Sequence, residues 1–128
     1  MAGREPVLGA NDASSQIDVG THIERGRSAL KAQDYAEALH CFGQAIQIND
    51  EARWAWHGRG DAMQLSGHHV EAERAYGSAM ALDPSCGLHH AGHANALAAL
   101  GRLEEANAAW TEALRLDPGL QWMREGQD

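Results

Sequence analysis

Apolar and polar positions along this chain follow two superposed periods. The short one is helical: Leu97, Leu100, Leu103, Ala106, Trp110, Ala113 and Leu114 keep to three- and four-residue steps. The long one is 34 residues. It separates Gly26, Gly60 and Ala94, then Ala38, Ala72 and Ala106, then Phe42, Tyr76 and Trp110, and then Ala45, Ala79 and Ala113. Together they predict six helices near 20–32, 35–48, 53–66, 69–82, 87–100 and 103–116. Turns fall at Gln33-Asp34, Gly67-His68 and Gly101-Arg102. A fixed period of this length predicts a stacked repeat array. Its units are 19–52, 53–86 and 87–120, without insertions, between a flexible arm over 1–18 and a short tail or partial capping helix over 121–128.

The recurring residue types have a physical reason. Small residues where two helices cross let the backbones approach, and the aromatics Phe42, Tyr76 and Trp110 fill the space left over. Pro84 and Pro118 end the second helix of their units, because proline disfavours helical geometry in the residue before it. Asp50 stands in that place in the first unit, so a less sharply defined junction is expected there.

The middle unit reads RWAWHGRGDAMQLSGHHVEAERAYGSAMALDPSC. With Trp56, Gly60, Ala72, Tyr76, Ala79 and Pro84 in order, it resembles the tetratricopeptide repeat. The third unit shares Ala94, Ala106, Trp110, Ala113 and Pro118, and the turn running from Gly101 to Ala106. The resemblance implies an all-α, right-handed superhelical stack of three helix–turn–helix repeats. The family's seventh position is Leu, but here it is Arg25, Arg59 and His93, and the fourth is His22, Trp56 and His90. Two of the three units therefore lack the usual large apolar residue at the start of the first helix, and this end of the helices is expected to be looser or to be covered.

Composition narrows the function. Three repeats are near the minimum for a stable stack. A formal net charge of −8 disfavours nucleic acid, which is read with clustered Lys and Arg. No apolar run is long enough to span a bilayer, and residues 1–18 lack the apolar core of a secretory signal. Cys41 and Cys86 lie in different units outside any CxxC pair, which suits a reducing, cytoplasmic setting. GxSxG, HExxH and a glycine-rich phosphate loop are all missing, so no enzymatic activity and no cofactor are expected. His89 and His93 have the spacing to share a metal on one helix. No Asp, Glu or Cys on that helix complements their spacing, so no metal is expected.

In tetratricopeptide repeats the first helices line a concave groove that holds a partner's peptide. The resemblance assigns this groove to Ile23, Arg27, Leu30 and Lys31, to Trp54, His57, Asp61, Gln64 and Leu65, and to Leu88, Ala91 and Asn95, with Gly20, Ala98 and Ala99 beside them. It grades from basic at Arg27 and Lys31 to apolar at Leu88 and Ala91. Trp54 either faces the groove or packs between units. Such a face suits an adaptor or co-chaperone-like module binding an extended segment or amphipathic helix with an acidic end. One subgroup of the family clamps a partner's terminal carboxylate. Its positions here are Ile23, Arg27, Gly58, Leu88 and Gly92, of which only Arg27 is charged, so that clamp is not expected. The alternative is a small structural or assembly subunit, or a self-associating scaffold. It would use an uncapped end formed by Leu114, Leu116, Trp122 and Met123.

Overall fold

The computed structural model describes residues 17–125. Most of the expected N-terminal arm, and residues 126–128 of the tail, lie outside that range. Helices α1 (Val19–Lys31), α2 (Tyr35–Ile48), α3 (Arg53–Leu65), α4 (His69–Leu82), α5 (Gly87–Ala99) and α6 (Leu103–Leu116) are followed by a 3₁₀ turn, Pro118–Leu120, and a short α7, Gln121–Glu125. Every described element is helical. Pairs α1–α2, α3–α4 and α5–α6 form hairpins, and each second helix packs on the first helix of the next hairpin. The first helices α1, α3 and α5 also touch one another along the row, whereas the second helices hardly do, so the stack bends toward the first-helix face.

Local sequence explains the helix ends. Asp18 and Asp34 cap α1 and α2, their carboxylates accepting from Thr21 N and Glu37 N at 2.8 and 3.1 Å. Between the helices of each hairpin, the chain turns through a left-handed residue: Gln33 (φ 61°), Gly67 (φ 88°) or Gly101 (φ 80°). Glycine adopts that conformation without strain, and glutamine does not.

The interior follows the long period. Ala38, Ala45, Ala72, Ala79, Ala106 and Ala113 are buried at the helix crossings, with Phe42, Tyr76 and Trp110 beside them. Two further glycines complete the arrangement. Phe42 lies against Gly26 of its own hairpin and Gly58 of the next, and Tyr76 against Gly60 and Gly92. A methyl group added at any of the four would overlap the ring. Gly58 and Gly92, also 34 residues apart, are therefore packing positions as much as Gly26 and Gly60 are.

Two expectations about helix ends are corrected. The Asp50 junction is as sharp as the others: the residues after α2, α4 and α6 are Asn49 (φ −148°, ψ 102°), Asp83 (φ −145°, ψ 85°) and Asp117 (φ −149°, ψ 92°). Each accepts the backbone N–H two residues on through its side-chain oxygen, at Glu51, Ser85 and Gly119. This Asx turn stops the helix whether or not proline follows. The starts of the first helices are not loose either. Trp56 Nε1 donates to the Asp50 carbonyl at 2.8 Å, and His90 Nε2 bonds the Pro84 carbonyl at 2.8 Å, both six residues back. A ring N–H at the fourth position thus ties the starts of α3 and α5 to the preceding junctions.

The C-terminal end is also differently built than expected. Leu120, from the 3₁₀ turn, is 5% exposed and packs with Ala91, Ala94, Trp110 and Ala113, flanked by Ala109, Leu114 and Met123. The last hairpin is partly capped by Leu120 and Met123, while Trp122 does not fold back and is 68% exposed.

Candidate functional site: the face of α1, α3 and α5

A shallow recess of about 220 Å³ opens among Leu30 of α1, Asp61, Gln64 and Leu65 of α3, Tyr76 of α4 and Asn95 of α5. Arg27 and Lys31 are exposed on α1, and Leu65 and Leu88 present apolar surface on α3 and α5. Ile23 is half-buried against the Phe42 cluster. Ala91 is wholly buried beneath Trp110 and Leu120 and cannot face a groove, which corrects its assignment there. Gln64 has both ends of its amide engaged. Its Nε2 donates to the Asn95 carbonyl at 3.3 Å, and its Oε1 meets His69 Nδ1 at 3.0 Å. It ties α3 to α4 and α5 and is not free to take a ligand.

Trp54 packs between units and keeps part of its ring exposed. It is half-buried, with the Arg27 guanidinium 5.8 Å from its ring centroid and the rings of His57 and His89 at 5.3 and 4.8 Å. The indole therefore bridges all three hairpins while keeping one part on the open face, and the cation over it adds attraction.

Beneath Trp54 runs a polar chain. His57 Nδ1 and His89 Nδ1 are 3.0 Å apart, His57 Nε2 lies 3.6 Å from Asp61 Oδ2, and the Tyr76 hydroxyl donates to Asp61 Oδ1. Burial pushes the His57 imidazole down to about 4, helped by the Arg27 cation. Burial, then the neighbouring His57, does the same to His89, also to about 4. Both rings are neutral at pH 7. Burial raises the Asp61 carboxyl to about 6 against the bond from Tyr76, and burial raises the Tyr76 phenol far above its ordinary value. Each neutral ring carries one proton, so the 3.0 Å contact is made in one of two orders. In the order that turns His57 Nε2–H toward Asp61, His57 Nδ1 accepts from His89 Nδ1–H and His89 Nε2 is a bare lone pair.

His89 and His93 do not meet at a metal. His93 Nε2 bonds Glu73 Oε2 on α4 at 2.8 Å, and His89 turns to His57. His93 is a half-buried polar stand-in for the family's Leu, with 17% of its side chain exposed. The His57–His89 pair escaped the sequence because it is a contact across 32 residues.

A family model described as tetratricopeptide repeat matches residues 19–52. No curated protein sequence matches the chain. Among solved structures, the chain is similar to the first TPR of Spaghetti (RPAP3) bound to HSP90 peptide SRMEEVD, at 25% identity and a TM-score of 0.77, over 79% of this chain and 80% of that one. It is similar to the second TPR domain of human RPAP3 in complex with HSP70 peptide SGPTIEEVD, at 28% identity and a TM-score of 0.73, over 77% and 82%. The Arabidopsis OM64 TPR domain aligns at 25% identity and a TM-score of 0.75, over 78% and 83%. With the family's small-residue and aromatic positions filled in register by α1–α6, the chain is a tetratricopeptide repeat protein of about three repeats.

Proposed function

We propose that this protein is a protein–protein interaction module that holds an extended or helical segment of a partner along the face of α1, α3 and α5. The observation that carries this reading is the open face itself. It carries Arg27 over Trp54, a recess beside Leu30, Leu65 and Asn95, and the exposed side chain of Leu88. An indole and an arginine side by side are favoured anchors. The relatives bound to HSP90 and HSP70 peptides support a peptide partner, and Arg27 with Lys31 favours an acidic end beside α1. The carboxylate-clamp positions carry Ile23, Gly58, Leu88 and Gly92, two of them glycines pressed on aromatic rings. The peptide SRMEEVD is therefore expected to bind poorly.

The test is fluorescence anisotropy with labelled amphipathic peptides that end in acidic or basic residues. Acid-ended peptides are expected to bind, and Arg27→Glu with Leu65→Asp is expected to weaken them by about tenfold or more at unchanged helical content. Equal binding of acid- and basic-ended peptides, or no effect of the double variant, would overturn the reading. A second reading, an assembly subunit, is favoured by Trp122 standing exposed beside Met123. Light scattering that stays monomeric at high concentration would remove self-association from it.

A further inference from the structure

Asp83, Cys86 and His89 are spaced by three and three across the junction between α4 and α5. Asp83 ends α4, Cys86 is the residue before α5, and His89 lies in the first turn of α5. Each offers one ligand atom, and these atoms all lie within 4.8 Å of one another. A second feature lies on the same histidine. His89 is wholly buried, and its Nε2 has no hydrogen-bond partner among the described residues. A buried polar atom without a partner costs on the order of 1–3 kcal/mol and calls for an explanation. With His57 Nδ1 as the acceptor of the 3.0 Å contact, that atom is a bare lone pair, the form in which imidazole binds a metal. A histidine whose other ring nitrogen is held by a hydrogen bond is the usual arrangement at metal centres.

The first junction supplies an internal control. The equivalent positions there are Asn49, Ala52 and Ala55, and the backbone ends α2 just as it ends α4. The turn needs only an Asx oxygen, which Asn49 provides. Neither the carboxylate charge, the thiol nor the imidazole at the second junction is required by the fold.

We propose that Asp83, Cys86 and His89 form a binding site for one zinc-like divalent cation, with a fourth position left to water or to a side chain of a partner. One sulfur, one imidazole nitrogen and one carboxylate oxygen are a zinc donor set, and three protein ligands with an open fourth position are a common zinc arrangement. Bonds of roughly 2.0–2.3 Å hold tetrahedral ligand atoms about 3.5 Å apart. Closure from 4.8 Å therefore asks for movements of about 1 Å, within reach of Asp83 and Cys86, which are half-exposed. As Sγ binds, its thiol proton leaves to solvent. The competitor is Arg53, whose Nε lies 3.2 Å from Asp83 Oδ2 with 48% of its side chain exposed. Such an exposed pair holds weakly, and the arginine can turn out to water when the cation enters. The site adjoins the peptide face through the Trp54–His89 contact, but zinc and cobalt titrations read it without any peptide, so its test does not depend on that reading.

Calorimetric titration of the tag-free, reduced chain with zinc alone is expected to show one ion per chain. Cobalt(II) is expected to produce a thiolate-to-cobalt charge-transfer band. Cys86→Ser should weaken zinc binding by at least about tenfold and abolish the band, while Cys41→Ser changes neither. His57→Phe, which removes the acceptor behind His89, should cost about 10–100-fold. Arg53→Gln should tighten binding by about two- to fivefold, an effect a purely structural role would not produce. Asp83→Asn keeps the Asx turn, as Asn49 shows, and should still weaken binding. No zinc uptake by the unaltered chain, no thiolate band with cobalt, or binding indifferent to Cys86→Ser would each overturn the proposal.

Discussion

The two junctions between hairpins share a backbone and differ in chemistry. At the first, between α2 and α3, Phe42 lies on Gly58 amid Ala29, Ala38 and Ala62, and Arg27 covers Trp54 from outside. At the second, between α4 and α5, Tyr76 takes the place of Phe42 on Gly92, but polar links surround it. They are His57 to His89, Gln64 to Asn95, Glu73 to His93, Arg53 to Asp83 and Tyr76 to Asp61. Two of the buried side-chain atoms without a partner, His89 Nε2 and Asn95 Oδ1, belong to this junction. The first junction shows that alanine and phenylalanine suffice to join two hairpins. Polar groups beyond that need add no sure stability and raise the risk of unpaired atoms. The difference teaches that the second junction is specialised, and that the place to look for chemistry is where one repeat departs from its neighbour.

The largest expected effect tests what the junctions share. Gly58→Val and Gly92→Val each push a branched side chain into an aromatic ring, and each is expected to lower stability by about 1–3 kcal/mol in urea denaturation. If one were tolerated, the two junctions would not be packed alike. Next is the Glu73–His93 pair, whose first-junction equivalents are Leu39 and Arg59. A double-variant cycle with Glu73→Leu and His93→Leu is expected to give a coupling of about 1 kcal/mol, with the double variant no less stable than the unaltered chain. Smaller still, and equal at both junctions, should be the loss of the ring N–H bonds: Trp56→Phe and His90→Phe, about 1 kcal/mol each in thermal melts.

The last comparison concerns Asp61, on the polar side of the second junction. Its folded pKa, about 6, lies above that of the free carboxyl, 3.8, so the native state holds its proton more tightly than the unfolded chain does. Its stabilising contribution is complete below about 4 and is lost as pH rises through about 6. Compared with Asp61→Asn, the unaltered chain should therefore gain relative stability as pH falls across that window. Midpoints measured for both proteins from pH 7 to pH 4 check the sign. A constant gap between them would mean that Asp61 is solvated in the folded state.

Much of the fold was legible along the chain because its causes are local and repeated. Helix starts at Asp18 and Asp34, turns at Gly67 and Gly101, and small residues facing an aromatic at fixed steps all act within one hairpin. Less of the site was legible. Ala91 sits at a groove position by register, yet Leu120 from beyond the last repeat covers it. Gln64 sits at a groove position by register, yet its amide ties α3 to α4 and α5. The triad Asp83, Cys86 and His89 carried a local signal, three and three, but it crosses from the end of one helix into the next. A search for ligands on a single helix passes over it.

By itself, then, the order of residues determined the six helices, their pairing and the small-against-aromatic packing, because each depends on neighbours a few residues apart and is repeated at 34. Only the tertiary structure decided which polar atoms are satisfied. It set His57 against His89, left the far nitrogen of His89 without a partner among the described residues, and put Leu120 over the last hairpin. Hydrogen-bond satisfaction depends on angstrom-scale distances between residues of different hairpins, and no spacing along the chain encodes those.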